Sequence, residues 1–492
     1  MPDNETETAD PRARSGLLAK LKYVSRTFSA FGIPAYRLLW TSQVASTSGM
    51  QIQMFARGLL AYELGGSAGA IGLVSLGQAI PQFLFSMVGG TLADRIERRK
   101  LMMTTQLLTC FTAITVALMV KAEVMTVEYL FLAALVQGSI MSFGGPARQA
   151  FVVEIVGPKH LMNALALNNS AMNLSRIGAP SLAGALVAVW WIDLGGLYFF
   201  QAALNVFSLI LLFMLPGAMR RNPIETVQHG VPSQRGGLHM AGRRPAGGGT
   251  ILGELADGFR YIIRNPVLLT LLLLGLVPTL LGQAYQQFLP VFAKNVFGDG
   301  IDRNAHALGF MSTMSGVGAF AGAIAVASMA DFKRRTLLQL IVGLGFGISL
   351  ALFAIQGDYV LAIVMLTCIG FTSSSFQSLN STMIMTASDP AYYGRVMSLN
   401  MLTFSLQAFG TFFIGYLIDW LGNVNNGPFH LQDVQIAIFG LGTIVTLFIV
   451  AVTVFNPSYR RLDQEDLRAA GDRPLPGRPR QPEVEAGVAG GS

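Results

Sequence analysis

Twelve stretches, near 36–62, 69–92, 101–120, 128–150, 161–190, 194–216, 266–292, 307–329, 336–355, 359–385, 396–421 and 434–455, are apolar and long. Each is long enough to cross about 30 Å of hydrocarbon. Spanning lipid forces a backbone to satisfy its own polar groups, so such stretches must be helices. Only 12% of the 492 residues are charged, against about 25% in soluble domains. The sequence therefore predicts an all-α membrane protein with twelve transmembrane helices. Lys and Arg in short loops stay cytoplasmic. Lys121, Lys294 and Arg303 fall on one side, Arg57 and Arg176 lie within spans, and the remaining cations lie on the side of the termini. Both termini are thus expected in the cytoplasm, in a multi-pass protein of the cell's inner (plasma) membrane. The net charge of +7 needs no nucleic acid to explain it. Cys110 and Cys368 fall in different spans and read as packed small side chains rather than a disulfide or metal pair. No metal or cofactor is expected.

Five segments follow: a cytoplasmic tail (1–35), a six-helix bundle (36–216), a cytoplasmic linker (217–262), a second six-helix bundle (263–457) and a tail (458–492). No separate cleavable signal is expected before the first span. In the first tail Leu17, Leu21, Val24, Phe28 and Phe31 recur at helical spacing opposite Lys20, Lys22 and Arg26. This fits a helix on the inner leaflet, with chance spacing in a disordered tail as the competing account. The linker and the last tail, rich in Arg, Gly and Pro, read as disordered. The two bundles look like copies. Asn168 and Asn400, and likewise Gly178 and Gly410, stand 232 residues apart, while Asp94 with Arg98 is matched by Asp331 with Arg335. Paired halves of this kind suit alternating access to a central site.

The turn Gly90 to Lys100, Gly-Thr-Leu-Ala-Asp-Arg-Ile-Glu-Arg-Arg-Lys, joins the second and third spans. An ordinary basic cytoplasmic loop would also explain its charge. Its spacing, with Gly90, Leu92, Ala93, Asp94, Arg95, Arg98 and Arg99, resembles the loop between the second and third helices of the major facilitator superfamily of transporters. Glu97 stands where that pattern has its second glycine. Further on, Pro146-Ala-Arg-Gln-Ala150, Asn163 to Asn169, and Asn173-Leu-Ser-Arg-Ile-Gly-Ala-Pro180 with Gly184 resemble the branch of that superfamily that contains enterobactin, drug and macrolide exporters. The resemblance implies the major facilitator fold, two pseudo-symmetric six-helix bundles. It also implies a gating role for Gly90, Asp94, Arg95, Arg98, Arg148, Asp331 and Arg335. Gly178, Pro180 and Gly184 are similar to the fifth-helix signature of the antiporters. A proline that bends a helix, flanked by glycines that admit a neighbour, makes a tight seam, although both residues are common in spans generally.

Ionisable groups inside a span usually face a cavity or a partner. Arg57 closes a helical stripe with Gln43, Thr47, Met50 and Met54, and Arg176 shares a face with Asn169, Asn173 and Pro180. Asn205, Gln283, Gln286, Gln287, Gln377, Asn380, Asn400 and Gln407 could join them. The substrate-binding set expected is therefore Arg57, Arg176, Gln43, Asn169, Asn173, Gln283, Gln287, Gln377 and Asn380. The competing account of each lone amide is an interhelical hydrogen bond, and of each arginine a structural pair. No Asp or Glu falls mid-span: Glu63, Glu128, Asp193, Asp358 and Asp419 lie near outer ends, and Asp94, Glu154 and Asp331 at the inner face. Two fixed cations without a central carboxylate favour an anionic or neutral amphipathic solute. Proton coupling, if used, falls to Asp94 or Glu154.

A non-enzymatic, monomeric secondary transporter follows, exporting a siderophore-like or drug-like small molecule across the bilayer at the expense of the proton gradient. No Gly-Lys-Ser/Thr phosphate loop is present. Uptake, or lysophospholipid translocation by the same fold, is the alternative. An enzyme or a sensor without transport fits less well, since no His-to-Asp pair at acyltransferase spacing and no folded cytoplasmic domain is seen.

Overall fold

The computed structural model describes residues 29–95, 97–187, 193–215, 259–297, 305–329, 334–388, 393–424 and 432–456. Within them every one of the twelve apolar stretches is helical. The first half contains α1 (Pro34–Gly65), α2 (Ala68–Arg95), α3 (Arg98–Lys121), α4 (Val127–Val187) and α5 (Leu194–Met214). The second contains α6 (Pro266–Val277), α7 (Tyr285–Phe297), α8 (Ala305–Ser328), α9 (Arg335–Ala354), α10 (Tyr359–Ala387), α11 (Tyr393–Val424) and α12 (Asp433–Phe455). Nine stretches among the described residues are long and apolar enough to cross a membrane. α1 and α11, at 32 residues each, and the later limb of α4 complete the set of long helices. Phe111, Phe213 and Leu447 stand exposed on the outer surface, as side chains bathed in lipid should.

Two local breaks shape the path. α4 is two helices joined at Gly157, whose φ of 64° and ψ of 176° suit glycine, because a Cβ disfavours positive φ. The limbs before and after it are the expected fourth and fifth spans. Between α6 and α7 the chain makes a π-helical turn, Pro278–Gly282. Pro278 lacks a backbone donor there, and the seventh span is interrupted rather than continuous.

Packing repeats between the halves. α2 lies against the first limb of α4, and α8 against α10 in the same manner; α3 pairs with α5 as α9 pairs with α12. Both tight pairs meet backbone to backbone. A side chain at Gly138 would strike the carbonyl of Gln78, and one at Gly370 the carbonyl of Ser315. Small residues at such crossings let helices approach where no hydrophobic effect drives them together.

The halves meet along two seams, α2 with α11 and the later limb of α4 with α8. A Cβ at Gly309 would lie 2.8 Å from Gly184 Cα and 2.9 Å from the Pro180 carbonyl. One at Gly72 would lie 2.9 Å from Phe412 Cα. Hydrogen bonds also cross here: Tyr62 Oη donates to Asn295 Oδ1 at 3.2 Å, the Ala68 and Gly69 N–H groups donate to Asp419, and Ser181 pairs with Thr313. These residues all sit at the end of the bundle remote from the start of α1, and that end is closed.

Candidate functional site: a central polar cavity

Beneath the closed end, between the halves, lies a cavity with about 900 Å³ of empty space, its open mouth included. α1 contributes Gln51, Met54, Phe55 and Gly58, and the later limb of α4 contributes Arg176 and Pro180. The turn before α7 and α7 itself supply Gln283, Gln286, Gln287, Leu289 and Pro290. α8 adds Leu308, Ser312, Ser315, Gly316 and Ala319, and α10 adds Gly370, Ser373, Ser374 and Gln377. Among the described lining residues the single charge is Arg176, surrounded by five glutamines and four serines.

Local structure explains how these groups reach the space. Gly316 lets α8 press onto the Arg176 turn, since a Cβ there would lie 3.0 Å from the Arg176 carbonyl. The backbone is thereby held in the seam while the exposed side chain opens on the cavity. The π turn widens the helix just before Gln283, an arrangement that often marks functional sites. Gln286 Nε2 donates to Gln283 Oε1 at 3.4 Å. Tyr285, fully buried, shares a 2.9 Å hydrogen bond with Ser315. A smaller adjoining cavity is lined by Thr279, Phe376, Asn380 and Ser381 and shares Gln283, Ser373 and Gln377 with the first.

Arg176, Gln283, Gln287 and Gln377 are therefore brought together. Asn380 faces the adjoining cavity, where its Oδ1 accepts from Gln339 Nε2 at 2.9 Å. Arg57 does not line the cavity: it is buried in the first half and its Nη1 donates to Gln78 Oε1 on α2. Gln43 sits lower on α1, accepting from Arg148 Nη1 at 2.7 Å and donating to Thr47 at 2.9 Å. The side chains of Asn169 and Asn173 lie outside the described set.

Of the residues expected to take part in gating, Pro180 and Gly184 pack in the α4–α8 seam, while Gly178 on the same limb is exposed. Arg98 Nη1 lies 3.3 Å from Glu154 Oε2, each side chain about one third exposed. A pair so wetted contributes little to stability. Beside it Arg99 donates to the carbonyls of Leu212 and Phe213, at 3.1 and 2.8 Å, capping the end of α5. Arg335 opens α9, half-buried. Gly90, Asp94 and Arg95 fall within α2, but their side chains, like the whole of Asp331, lie outside the described residues.

Sequence reasoning missed Gln51 and Ser312, Ser315, Ser373 and Ser374. The α1 face that meets the cavity runs Gln51, Met54, Phe55, Gly58. It is turned by one residue, about 100°, from the stripe ending at Arg57. The serines lie on glycine-rich helices where small side chains also serve close packing, so nothing local marks them.

A family model described as Major Facilitator Superfamily matches residues 39–411. The chain belongs to the major facilitator superfamily. Enterobactin exporters EntS of Shigella dysenteriae serotype 1 (strain Sd197) and Escherichia coli O1:K1 / APEC are each 27% identical over 320 residues, covering 64% of this chain and 69% of theirs. The nucleoside transporter NupG superposes with a TM-score of 0.64 at 15% identity, over 85% of this chain and 98% of that one. An inward-facing, unoccupied bacterial homolog of the human lysosomal transporter Spinster gives 0.61 at 13% identity, over 92% and 99%. These solved structures share the fold, and this superfamily member is accordingly a multi-pass membrane transporter of small molecules.

Proposed function

We propose that this transporter exports an anionic or neutral amphipathic compound, of siderophore or drug kind, from the cytoplasm by alternating access coupled to proton antiport. The observation that carries the reading is the cavity wall: Arg176 is its charged group, no carboxylate stands among its described residues, and glutamines and serines offer both donors and acceptors. Attraction between a cation and an anionic solute strengthens as water is excluded. Met54, Phe55, Leu289 and Leu308 supply an apolar wall for the rest of an amphipathic solute. The relatives named as enterobactin exporters support the siderophore class and the outward direction.

The distribution of Lys and Arg supports cytoplasmic termini in the inner membrane. On that orientation the closed end faces outside, and the cavity belongs to an inward-facing state ready to load from the cytoplasm. Asp94 and Glu154 remain the candidates for proton transfer at the cytoplasmic ends. The test is uptake of a fluorescent anion into inverted membrane vesicles. The reading requires uptake that depends on the protein and collapses with a protonophore; uptake insensitive to the protonophore would remove proton coupling, and no protein-dependent uptake of any anion tried would count against export.

A further inference from the structure

The first half buries a cation that neither cavity uses. Arg57 of α1 is 9% exposed, and among the described residues it takes part in no ion pair. Its hydrogen-bond partner there is Gln78 of α2, whose Nε2 in turn donates to Met141 Sδ of α4 at 3.3 Å. Gln137 stands one turn before Met141 on the same face of α4. It is 4% exposed, and its Oε1 has no hydrogen-bond partner among the described residues. Tyr198 of α5, also buried, lies within electrostatic reach of Arg57. Four helices thus bring a guanidinium, two amides and a phenol to one region in the core of this half. Carboxylates are kept away from it. Glu63, six residues further along α1, stands about 9 Å along the axis and about 120° round it, and Asp193 is engaged with Lys121 at 3.0 Å.

We propose that Arg57, Gln78, Gln137 and Tyr198 form a binding site for a small inorganic anion, of which chloride is the abundant example. A guanidinium stays charged, and a charge held away from water is costly unless an opposite charge and hydrogen bonds compensate it. The Gln78 oxygen supplies a dipole and not a charge. It also engages only one of the five N–H donors that an arginine carries. The Tyr198 hydroxyl is a further donor, and turning the Gln137 amide about its last torsion presents its NH2 where its unpartnered oxygen stands. An anion here would meet donors from three helices. Packing limits its size: a Cβ at Gly138 would strike the Gln78 carbonyl, and one at Gly77 would lie 2.8 Å from the Phe131 ring. Such crowding suits a single ion rather than a solute with a carbon body. Gly58, the next residue after Arg57, belongs to the wall of the main cavity, so an ion approaches from that side. Once bound it joins α1 to α2, α4 and α5 and stabilises the half. The inference rests on the fold and not on substrate, direction or coupling.

The experiment is equilibrium binding of radiolabelled chloride to the purified full chain in nanodiscs of zwitterionic lipid, at constant ionic strength with gluconate as the bulky replacement anion. Arg176→Gln, which removes the cation of the main cavity, provides the background. It should retain one saturable chloride site, competed by bromide and not by gluconate. Adding Arg57→Gln should weaken binding at least about 30-fold, the fold-change of a lost charged hydrogen bond. Gln137→Leu and Tyr198→Phe should each weaken it about threefold to tenfold, as loss of a neutral donor does. If Arg57→Gln does not fold, the Gln137→Leu and Tyr198→Phe pair decides, and crystals grown in bromide should show an anomalous peak within hydrogen-bond reach of Arg57. Chloride should also raise the melting temperature of the unaltered chain, since a ligand held only by the folded state stabilises it. Absence of saturable chloride in Arg176→Gln would overturn the site and leave water to satisfy these groups. Binding unchanged by Arg57→Gln, or by the pair, would put the ion elsewhere and overturn it equally. Neither result bears on the transport reading, which vesicle uptake tests.

Discussion

Removing the cation from the cavity gives the sharpest quantitative test of its chemistry. In Arg176→Ala a solute carboxylate, sulfonate or phenolate would lose its fixed partner while the glutamines stay. At a separation of about 4 Å, Coulomb attraction amounts to about 1 kcal/mol in bulk water and about 4 kcal/mol at an effective dielectric constant of about 20. Arg176 is neither fully wetted nor dry, since its side chain opens on a cavity enclosed on one side. A charged hydrogen bond contributes about 1.5 to 3 kcal/mol. A middle value near 2 kcal/mol corresponds to about a 30-fold weaker affinity. The assay is binding of a fluorescent anion to purified protein by anisotropy, together with KM in vesicles. A neutral analogue of the same body should change less than about threefold, and Arg176→Lys should fall between, keeping the charge but not the planar fork. Anion affinity unchanged in Arg176→Ala, in protein that is folded and in the membrane, would refute the argument from Coulomb attraction.

Arg57, held by Gln78 and buried, behaves in this account as a structural cation. Gln78→Ala should lower the melting temperature by an amount equivalent to about 2 kcal/mol, the cost of a charged donor left without its acceptor, with anion KM altered far less than in Arg176→Ala; a change confined to KM would instead put Arg57 at the substrate. Gly309→Val should prevent the α4–α8 seam from closing, because even a Cβ meets Gly184 Cα at 2.8 Å. Transport should drop at least tenfold and labels at that end should sit farther apart, while normal transport would show that this seam need not close. Asp94→Asn should stall turnover while equilibrium anion binding stays measurable, and unchanged turnover would remove that loop from the mechanism.

How far the sequence could be read depended on the physical origin of each signal. The spans were legible because lipid imposes a length and forbids unsatisfied backbone, and a helix occurs at every predicted stretch. Pro180 and Gly184 stood out through their likeness to the antiporter signature and not through residue type, since proline and glycine are common in spans generally; they lie in the seam with Gly309. The rotational setting of α1 was not: a helix advances about 100° per residue, so taking Arg57 rather than Gly58 as the end of the stripe turned the predicted face into α2. The π turn at Pro278–Gly282 was hidden within one apolar run. Asp419 could be placed at an outer end from its position alone. Its contact with Ala68 and Gly69, some 350 residues distant, has no local signature and required the packing of the two halves.

The most direct measurement of the central claim uses reconstituted protein in proteoliposomes and two fluorescent substrates with the same apolar body, one ending in a carboxylate and the other in a quaternary ammonium. A cavity whose charge is Arg176 predicts protein-dependent transport of the anion, driven by an imposed proton gradient, and little or none of the cation. Transport of the cation as fast as the anion, or faster, would contradict it.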